Sequence, residues 1–322
     1  MIKYIAKRIA LIILIVLAVI FIVFILLYSL PASNVRQMPV YRDGDALDSV
    51  FTFFNAGDNI FTKYLRYCYN VFIRFEFGHT SSINARLVRE FSHRVPNTLL
   101  VLACGVGATL IVGIPLGVYS AVHKNKKRDR IINAVTLFFS AIPNFTVAMV
   151  LALVFSVYLR LVPVIAAYTS PVAYILPTLA ITLGGTSLIA RTTRASMLDV
   201  LEMPYITALR SKGLGEFNVL YRHAFKNAMV PVISVLGGFV SQMLLGTFVV
   251  ERFFNIPGLG SYMFRSVSFR DHVEILGCAV IISVLLATTN IAADVLYAYI
   301  NPQIRLRHVK DNFRRLGRGV EQ

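Results

Sequence analysis

The chain has 322 residues, of which 57% are hydrophobic and 15% are charged, with a net charge of +16. Soluble domains carry roughly 25% charged residues, so this composition excludes a soluble globular protein and indicates a membrane protein with several spans. The basic residues gather in short loops beside apolar segments, which is typical of membrane topology rather than of nucleic-acid binding. The three cysteines and six histidines are dispersed, so neither a disulfide framework nor a metal site is predicted.

Six segments are predicted to cross the bilayer as helices, because a span needs about 20 mostly apolar residues. They cover residues 9–30, 98–122, 131–158, 174–190, 229–250 and 273–300. The first is too long for a cleaved signal peptide, so we interpret it as a retained anchor. Prolines in or beside the spans predict kinks: Pro115, Pro143, Pro177 and Pro231.

The lysines and arginines predict that both termini lie in the cytoplasm, since 20 of the 32 then fall on that side. Arg86, Arg89 and Arg94 precede the second span and argue against this orientation. The chain accordingly divides into four parts. These are the first helix (1–30), an external segment (31–94), a five-helix core (95–302) with a cytoplasmic loop at 191–228, and a basic cytoplasmic tail (303–322).

Within the cytoplasmic loop, residues 196–231 read as two short amphipathic helices joined at Gly213. Apolar residues recur at helical spacing on both sides of this glycine, from Met197 to Leu209 and from Phe217 to Ala228. Glycine accepts the left-handed conformation that follows a helix end. Two interpretations stay open: a loop that folds back on the membrane surface, or a lever on which another protein pushes.

No catalytic constellation or phosphate-binding loop is present in the sequence, so the chain is predicted neither to be an enzyme nor to bind ATP itself. Asn290 and Asp294 in the sixth span form a possible intramembrane polar site, the alternative being hydrogen bonding to a neighbouring helix. The external loop 250–271 is apolar. Its Phe254, Pro257, Gly258 and Gly260 predict either a surface turn or a re-entrant loop that lines an external cavity.

Several motifs in combination resemble the dipeptide/oligopeptide/nickel branch of the binding-protein-dependent ABC importer permeases. They are FEFGHTSS, RVPNTLLVL, SAIPNF, ERFFNIPGLG, NIAADVLYAYINP and the stretch from Arg191 to Val232, RTTRASMLDVLEMPYITALRSKGLGEFNVLYRHAFKNAMVPV. The family's coupling motif begins Glu-Ala-Ala, whereas this chain has Thr207, Ala208 and Leu209, a variation usual in the peptide branch. Asn301-Pro302-Gln303 replaces the usual Asp-Pro-Arg.

The resemblance implies an all-α type I ABC importer permease fold, with a first helix that wraps a core of five. It implies a second, homologous permease subunit, two ABC ATPase subunits, an external solute-binding protein and a bacterial or archaeal cytoplasmic membrane. No cofactor is expected on this chain, because ATP and Mg are used by the ATPases. The expected ATPase-docking residues are Tyr205, Thr207, Ala208, Arg210, Lys212, Gly213 and Leu214.

Peptides are the expected substrate, and nickel chelates or other small solutes on the same scaffold are the alternative. Two other classes fit less well. A secondary transporter would need inverted repeats and charges at the membrane midplane. A membrane-embedded enzyme would need clustered polar or metal-binding residues in the spans.

Overall fold

The computed structural model describes residues 2–29, 59–77, 87–163, 170–269 and 271–300, and within these ranges the regular structure is entirely helical. The predicted basic tail (303–322) and much of the external segment lie outside the described residues. The helices are α1 (Ile2–Ser29), α2 (Ile60–Ile73), α3 (Leu87–Val122), α4 (Lys127–Ala141), α5 (Asn144–Leu151), α6 (Ile175–Leu201), α7 (Pro204–Ser211), α8 (Phe225–Phe253), α9 (Leu259–Phe269) and α10 (His272–Ile300). Short π-helical segments extend α5 (Ala152–Tyr158) and precede α8 (Asn218–Ala224).

Five of the described helices are long and apolar enough to cross a membrane: α1, α3, α6, α8 and α10. The pair α4 and α5 passes the same test together and would be a sixth span. The expected all-α architecture is confirmed, and the expected six spans are reached when the bent pair is counted as one span.

The bend between α4 and α5 is much sharper than the kink that the sequence predicts. The two helices meet at 101°, with Ile142 extended at φ −95° and ψ 127°. Proline disfavours the helical conformation of the residue before it, so Pro143 ends α4 and opens α5. By contrast, Pro115 lies inside the unbroken α3 and Pro231 inside the unbroken α8.

The core of the bundle forms where α3, α6 and α8 pack together, with side chains such as Val101, Ile181 and Leu244 almost fully buried. Small residues allow this close approach. A β-carbon placed on Gly117 of α3 would lie 2.5 Å from the carbonyl oxygen of Ala190 on α6. Backbone-to-backbone contact between α3 and α6 therefore requires glycine at this position.

A second apolar cluster joins α1 and α2 to α10. The second half of α1 contributes Phe24, and α2 contributes Tyr64 and Tyr67, next to Leu276 in the first turns of α10. The hydroxyl of Tyr64 donates a hydrogen bond of 2.9 Å to the carbonyl oxygen of Leu17. The aromatic part of the external segment thus includes a helix that packs onto the first span.

The loops predicted on the two sides of the membrane can be located from their contacts with α3 and α6. At one end, the basic turn between α3 and α4 lies beside the end of α6, because Lys124 pairs with Glu202 at 2.6 Å. At the other, Asn97 of α3 donates a hydrogen bond of 2.9 Å to the carbonyl oxygen of Pro257. The predicted cytoplasmic and external loops therefore lie at opposite ends.

Candidate functional site

The candidate site is the α7 turn, which we define as residues 204–214. It begins because Met203 is extended (φ −70°, ψ 142°) before Pro204, and proline suits the first helical position. It ends at Gly213, whose φ of +76° is a left-handed conformation. Gly213 N–H donates to the carbonyl oxygen of Arg210 at 3.0 Å, and Leu214 N–H donates to that of Leu209 at 3.4 Å. These two bonds form a Schellman motif, which is the helix end that the glycine predicts.

One side chain anchors the α7 turn to the bundle. Ile206 is fully buried. It packs in a cluster with Val118 and Ala121 of α3, Met197 of α6, and residues of the segment that leads into α8. This cluster therefore joins α7 to three long helices, α3, α6 and α8.

The opposite face of the α7 turn is open. Thr207, Ala208, Arg210, Lys212, Gly213 and Leu214 are exposed, and Tyr205 is half-buried. The structure therefore brings the seven predicted docking residues together on one short element. A partner that binds this face would meet mostly polar and small groups beside the apolar Leu214.

Two polar contacts hold the turn in shape. Arg210 donates hydrogen bonds to Glu216 from Nη2 at 2.6 Å and from Nε at 3.2 Å, which closes the chain across Gly213. These bonds also hold the pKa of the Glu216 carboxyl below its usual range. Asn227 donates a hydrogen bond of 2.9 Å to the hydroxyl of Tyr205. Arg210 is thus already engaged within the chain.

The bounds of the helices around this site differ from the expected ones. α6 continues to Leu201, so residues 191–201, expected in the cytoplasmic loop, form its last three turns. The second amphipathic segment is π-helical over Asn218–Ala224 and runs directly into α8. Of the two amphipathic helices predicted in the loop, only the one before Gly213, α7, is therefore a separate short helix.

A buried ion pair next to the site was not singled out by the sequence. Asp129, only 2% exposed, accepts two hydrogen bonds of 2.7 Å from the guanidinium of Arg194. It also accepts bonds from the hydroxyl of Ser120, the backbone N–H of Asn125 and the amide of Asn133. The sequence feature that could have pointed to this pair is Asp129 itself, the single acidic residue in the basic run HKNKKRDR.

The bend between α4 and α5 borders a cavity of about 470 Å³, which α6 and α8 also line. Asn144, the first residue of α5, projects its amide between two glycines. A β-carbon on Gly246 of α8 would lie 2.6 Å from Asn144 Nδ2, and one on Gly184 of α6 would overlap Asn144 Oδ1. The bend is therefore seated on both helices where they have no side chains.

The external turn after α8 packs into protein. Phe254, Gly258 and Gly260 are buried and Pro257 is half-buried. Glu251, fully buried, accepts a hydrogen bond of 2.8 Å from the backbone N–H of Gly260 through Oε2. This burial agrees with a turn that folds back onto the protein. Its place beside an external cavity stays a prediction, because the cavity at the α4–α5 bend is lined by other residues.

The predicted intramembrane polar site lies on α10. Asn290 is exposed and its amide donates a hydrogen bond of 2.9 Å to the carbonyl oxygen of Leu286 on the same helix. Asp294 belongs to the same helical backbone, and its side chain lies outside the described part of the chain. A joint role of the two residues stays a prediction.

Comparison with known families supports the resemblance of the motifs. The model of the family described as binding-protein-dependent transport system inner membrane component matches residues 113–306. This range contains the α4–α5 bend, the α7 turn and the external turn.

Named relatives are peptide transport permeases. The chain is 36% identical over 261 residues to the dipeptide transport system permease protein DppB of Bacillus subtilis (strain 168), covering 79% of this chain and 82% of that protein. It is 31% identical over 308 residues to the glutathione transport system permease protein GsiC of Escherichia coli (strain K12), covering 95% and 100%. It is 33% identical over 261 residues to the oligopeptide transport system permease protein AppB of Bacillus subtilis (strain 168), covering 78% and 82%.

Among solved structures, an inward-facing conformation of the MetNI methionine ABC transporter matches with a TM-score of 0.54 and 16% sequence identity. The match covers 66% of this chain and 96% of the matched chain. At this identity the likeness concerns the fold, and it agrees with the helix arrangement described above.

Proposed function

The chain belongs to the family of binding-protein-dependent transport system inner membrane components. From this premise we propose that it forms one half of the translocation pathway of an ATP-driven peptide importer in a bacterial or archaeal cytoplasmic membrane. The names of its relatives favour peptides over nickel chelates, because dipeptides, oligopeptides and glutathione are all peptides. Two ABC ATPase subunits, a second permease subunit and an external solute-binding protein complete the proposed complex.

The observation that carries this proposal is the combination of an exposed face and a buried anchor on the α7 turn. The exposed residues from Thr207 to Leu214 present a surface to an ATPase, and Ile206 ties that surface to three long helices. Rigid-body motion of packed helices is a standard way to transmit such a change. Closure of the ATPases would therefore move α3, α6 and α8 together.

The Asp129–Arg194 pair extends this connection to the bent span. Arg194 lies on α6, about three helical turns before the α7 turn begins at Pro204, and Asp129 lies in the first turn of α4. Because the pair is bidentate and its carboxylate is buried, we expect α4 to move together with α6. The cavity at the α4–α5 bend would then change shape when the α7 turn moves, which couples ATP hydrolysis to the pathway.

The proposed orientation places the α7 turn in the cytoplasm and the Glu251 turn outside. The two loops lie at opposite ends of the bundle, and the balance of lysine and arginine favours the cytoplasm for the end that carries α7. The Glu251 turn is then on the side from which a solute-binding protein delivers peptide.

Reconstitution tests the proposal. The chain is coexpressed with candidate genes for the second permease, the ATPases and the binding protein, and the purified complex is placed in liposomes that contain ATP and Mg²⁺. We expect uptake of radiolabelled L-alanyl-L-alanine that requires both internal ATP and the binding protein. Uptake of a nickel chelate without any dipeptide uptake would select the alternative substrate. Uptake driven by an ion gradient without ATP would contradict the proposal.

A further inference from the structure

Arg191 lies in an unexpected place for a basic residue. The sequence predicts it at the start of the cytoplasmic loop, but α6 continues to Leu201, so Arg191 sits about 15 Å before the end of a candidate membrane span. It is one turn deeper in that span than Arg194. Cations in membrane spans are costly and usually face a water-filled cavity or a partner.

The side chain of Arg191 lines the cavity of about 470 Å³ at the α4–α5 bend. Polar side chains from four other positions share this lining: Ser140, Asn144, Ser187 and Gln242. Apolar residues such as Ile181, Phe239 and Met243 form the remaining wall. Of the described residues that line the cavity, Arg191 is the one with a charge. The cavity is therefore positive, with hydrogen-bonding groups around the cation.

Two observations leave Arg191 and Ser187 available to a ligand. Arg194, three residues along the same helix, is fully paired with Asp129, whereas Arg191 has no ion-pair partner within the described part of the chain. Ser187 is 1% exposed, and its hydroxyl makes no hydrogen bond to any described residue. Buried polar groups in native proteins are normally hydrogen-bonded, so an unsatisfied one needs an explanation.

We propose that this cavity is a transient binding site for the free α-carboxylate of a peptide in transit, with Arg191 as the residue that recognises the charge. The guanidinium fork matches a carboxylate in a bidentate geometry. Asn144, Gln242 and Ser187 can donate further hydrogen bonds to the carboxylate or to the adjacent peptide group. The volume falls within the usual range for small-ligand pockets, about 300–1,000 Å³.

This assignment rests on the proposed function, since it identifies what the pathway recognises. It differs from selection by the external binding protein, because Arg191 belongs to the membrane subunit. We expect weak binding at this site, because transport requires that the substrate can also leave.

A binding measurement on the purified, nucleotide-free complex without the binding protein tests the site separately from delivery. The probe is radiolabelled L-alanyl-L-alanine, with its C-terminal amide as the competitor. We expect the amide to bind about tenfold more weakly or worse, since a charged hydrogen bond is worth about 1.5–3 kcal/mol. Arg191→Gln should lower the affinity for the dipeptide to that of the amide. Arg191→Lys, which keeps the charge, should lower the affinity for the dipeptide less than Arg191→Gln does.

Arg130→Gln is the matched control, because it removes the same charge from an exposed position on α4 outside the cavity. It should bind the dipeptide as the wild type does. If the wild type binds dipeptide and amide equally, or if Arg191→Gln keeps the preference for the carboxylate, the assignment is overturned. The assignment is also overturned if the wild-type complex imports dipeptide but does not bind it in the nucleotide-free form without the binding protein. If no dipeptide is imported at all, the proposed function itself has failed. If the Arg191→Gln complex does not assemble, the comparison of dipeptide and amide binding to the wild type still tests the assignment.

Discussion

The guanidinium of Arg194 donates two hydrogen bonds of 2.7 Å to the carboxylate of Asp129, 65 positions earlier in the chain. This pair joins the last third of α6 to the first turn of α4. Its partners are unequal in burial: the side chain of Asp129 is 3% exposed and that of Arg194 is 24% exposed. This difference in burial determines whether removing Asp129 or removing Arg194 lowers the stability of the protein more.

Removing the cation should destabilise the protein more than removing the anion. Arg194→Gln leaves a buried carboxylate without its counter-charge, at a cost of about 3–5 kcal/mol. Asp129→Asn leaves a cation that water still reaches, and the double variant should recover part of the loss. The readout is the fraction of purified complex that stays monodisperse on size-exclusion chromatography after heating. Lys124→Gln, which breaks an exposed pair, serves as the control and should change little. Equal, additive effects of the two single variants would contradict this account.

Gly213 should tolerate asparagine far better than valine. Its φ of +76° suits glycine and is accepted by asparagine, whereas a β-branched residue there is an outlier. A left-handed residue other than glycine costs about 1–2 kcal/mol. No atom of the described residues would lie within 4 Å of a β-carbon at this position, so the penalty is conformational. We expect Gly213→Val to abolish substrate-stimulated ATPase activity with membrane insertion intact, and Gly213→Asn to retain most of it. Normal transport by Gly213→Val would show that the turn has no coupling role.

Two glycines of α3 should respond oppositely to alanine. A β-carbon on Gly117 would lie 2.5 Å from the carbonyl oxygen of Ala190, and one on Gly107 would have no neighbour within 4 Å among the described residues. Gly117→Ala must push α3 away from α6, and overpacking costs about 1–3 kcal/mol. Gly107→Ala should be neutral, or stabilising by up to about 1 kcal/mol through helix propensity. Thermal inactivation of ATPase activity in the reconstituted complex measures both. A Gly117→Ala variant as stable as the wild type would refute the close approach of the two helices.

Glu251 should act as a hydrogen-bond acceptor for the external turn. It accepts the backbone N–H of Gly260 at 2.8 Å, and both groups are buried. Glu251→Ala leaves that N–H unpaired at a cost of about 1–3 kcal/mol, whereas Glu251→Gln keeps an acceptor. Hydrogen–deuterium exchange of the peptide that contains residues 256–262 should speed up in the alanine variant only. Equally fast exchange in both variants would mean that the charge, and not the acceptor, holds the turn.

Local signals in the sequence predicted most of the helices and the end of α7. A run of about 20 apolar residues predicts a span whatever surrounds it, which is why the five long helices were found. Gly213 predicted its own left-handed conformation because few other residues adopt it readily. Pro143 predicted a kink, but the sharp angle of 101° goes with the seating of Asn144 between Gly184 and Gly246, which are far away in sequence.

By itself, therefore, the sequence determined the membrane class, the family, the order of the spans and the position of the α7 turn. Each of these depends on composition or on residues close together in the chain. Only the tertiary structure decided that Asp129 pairs with Arg194 while Arg191 faces a cavity. Both arginines lie near the end of the same long helix, α6, and look alike in sequence. Their environments differ because of helices that are distant in the sequence. Asp129 of α4 lies next to Arg194, whereas the α4–α5 bend borders a cavity with polar groups next to Arg191.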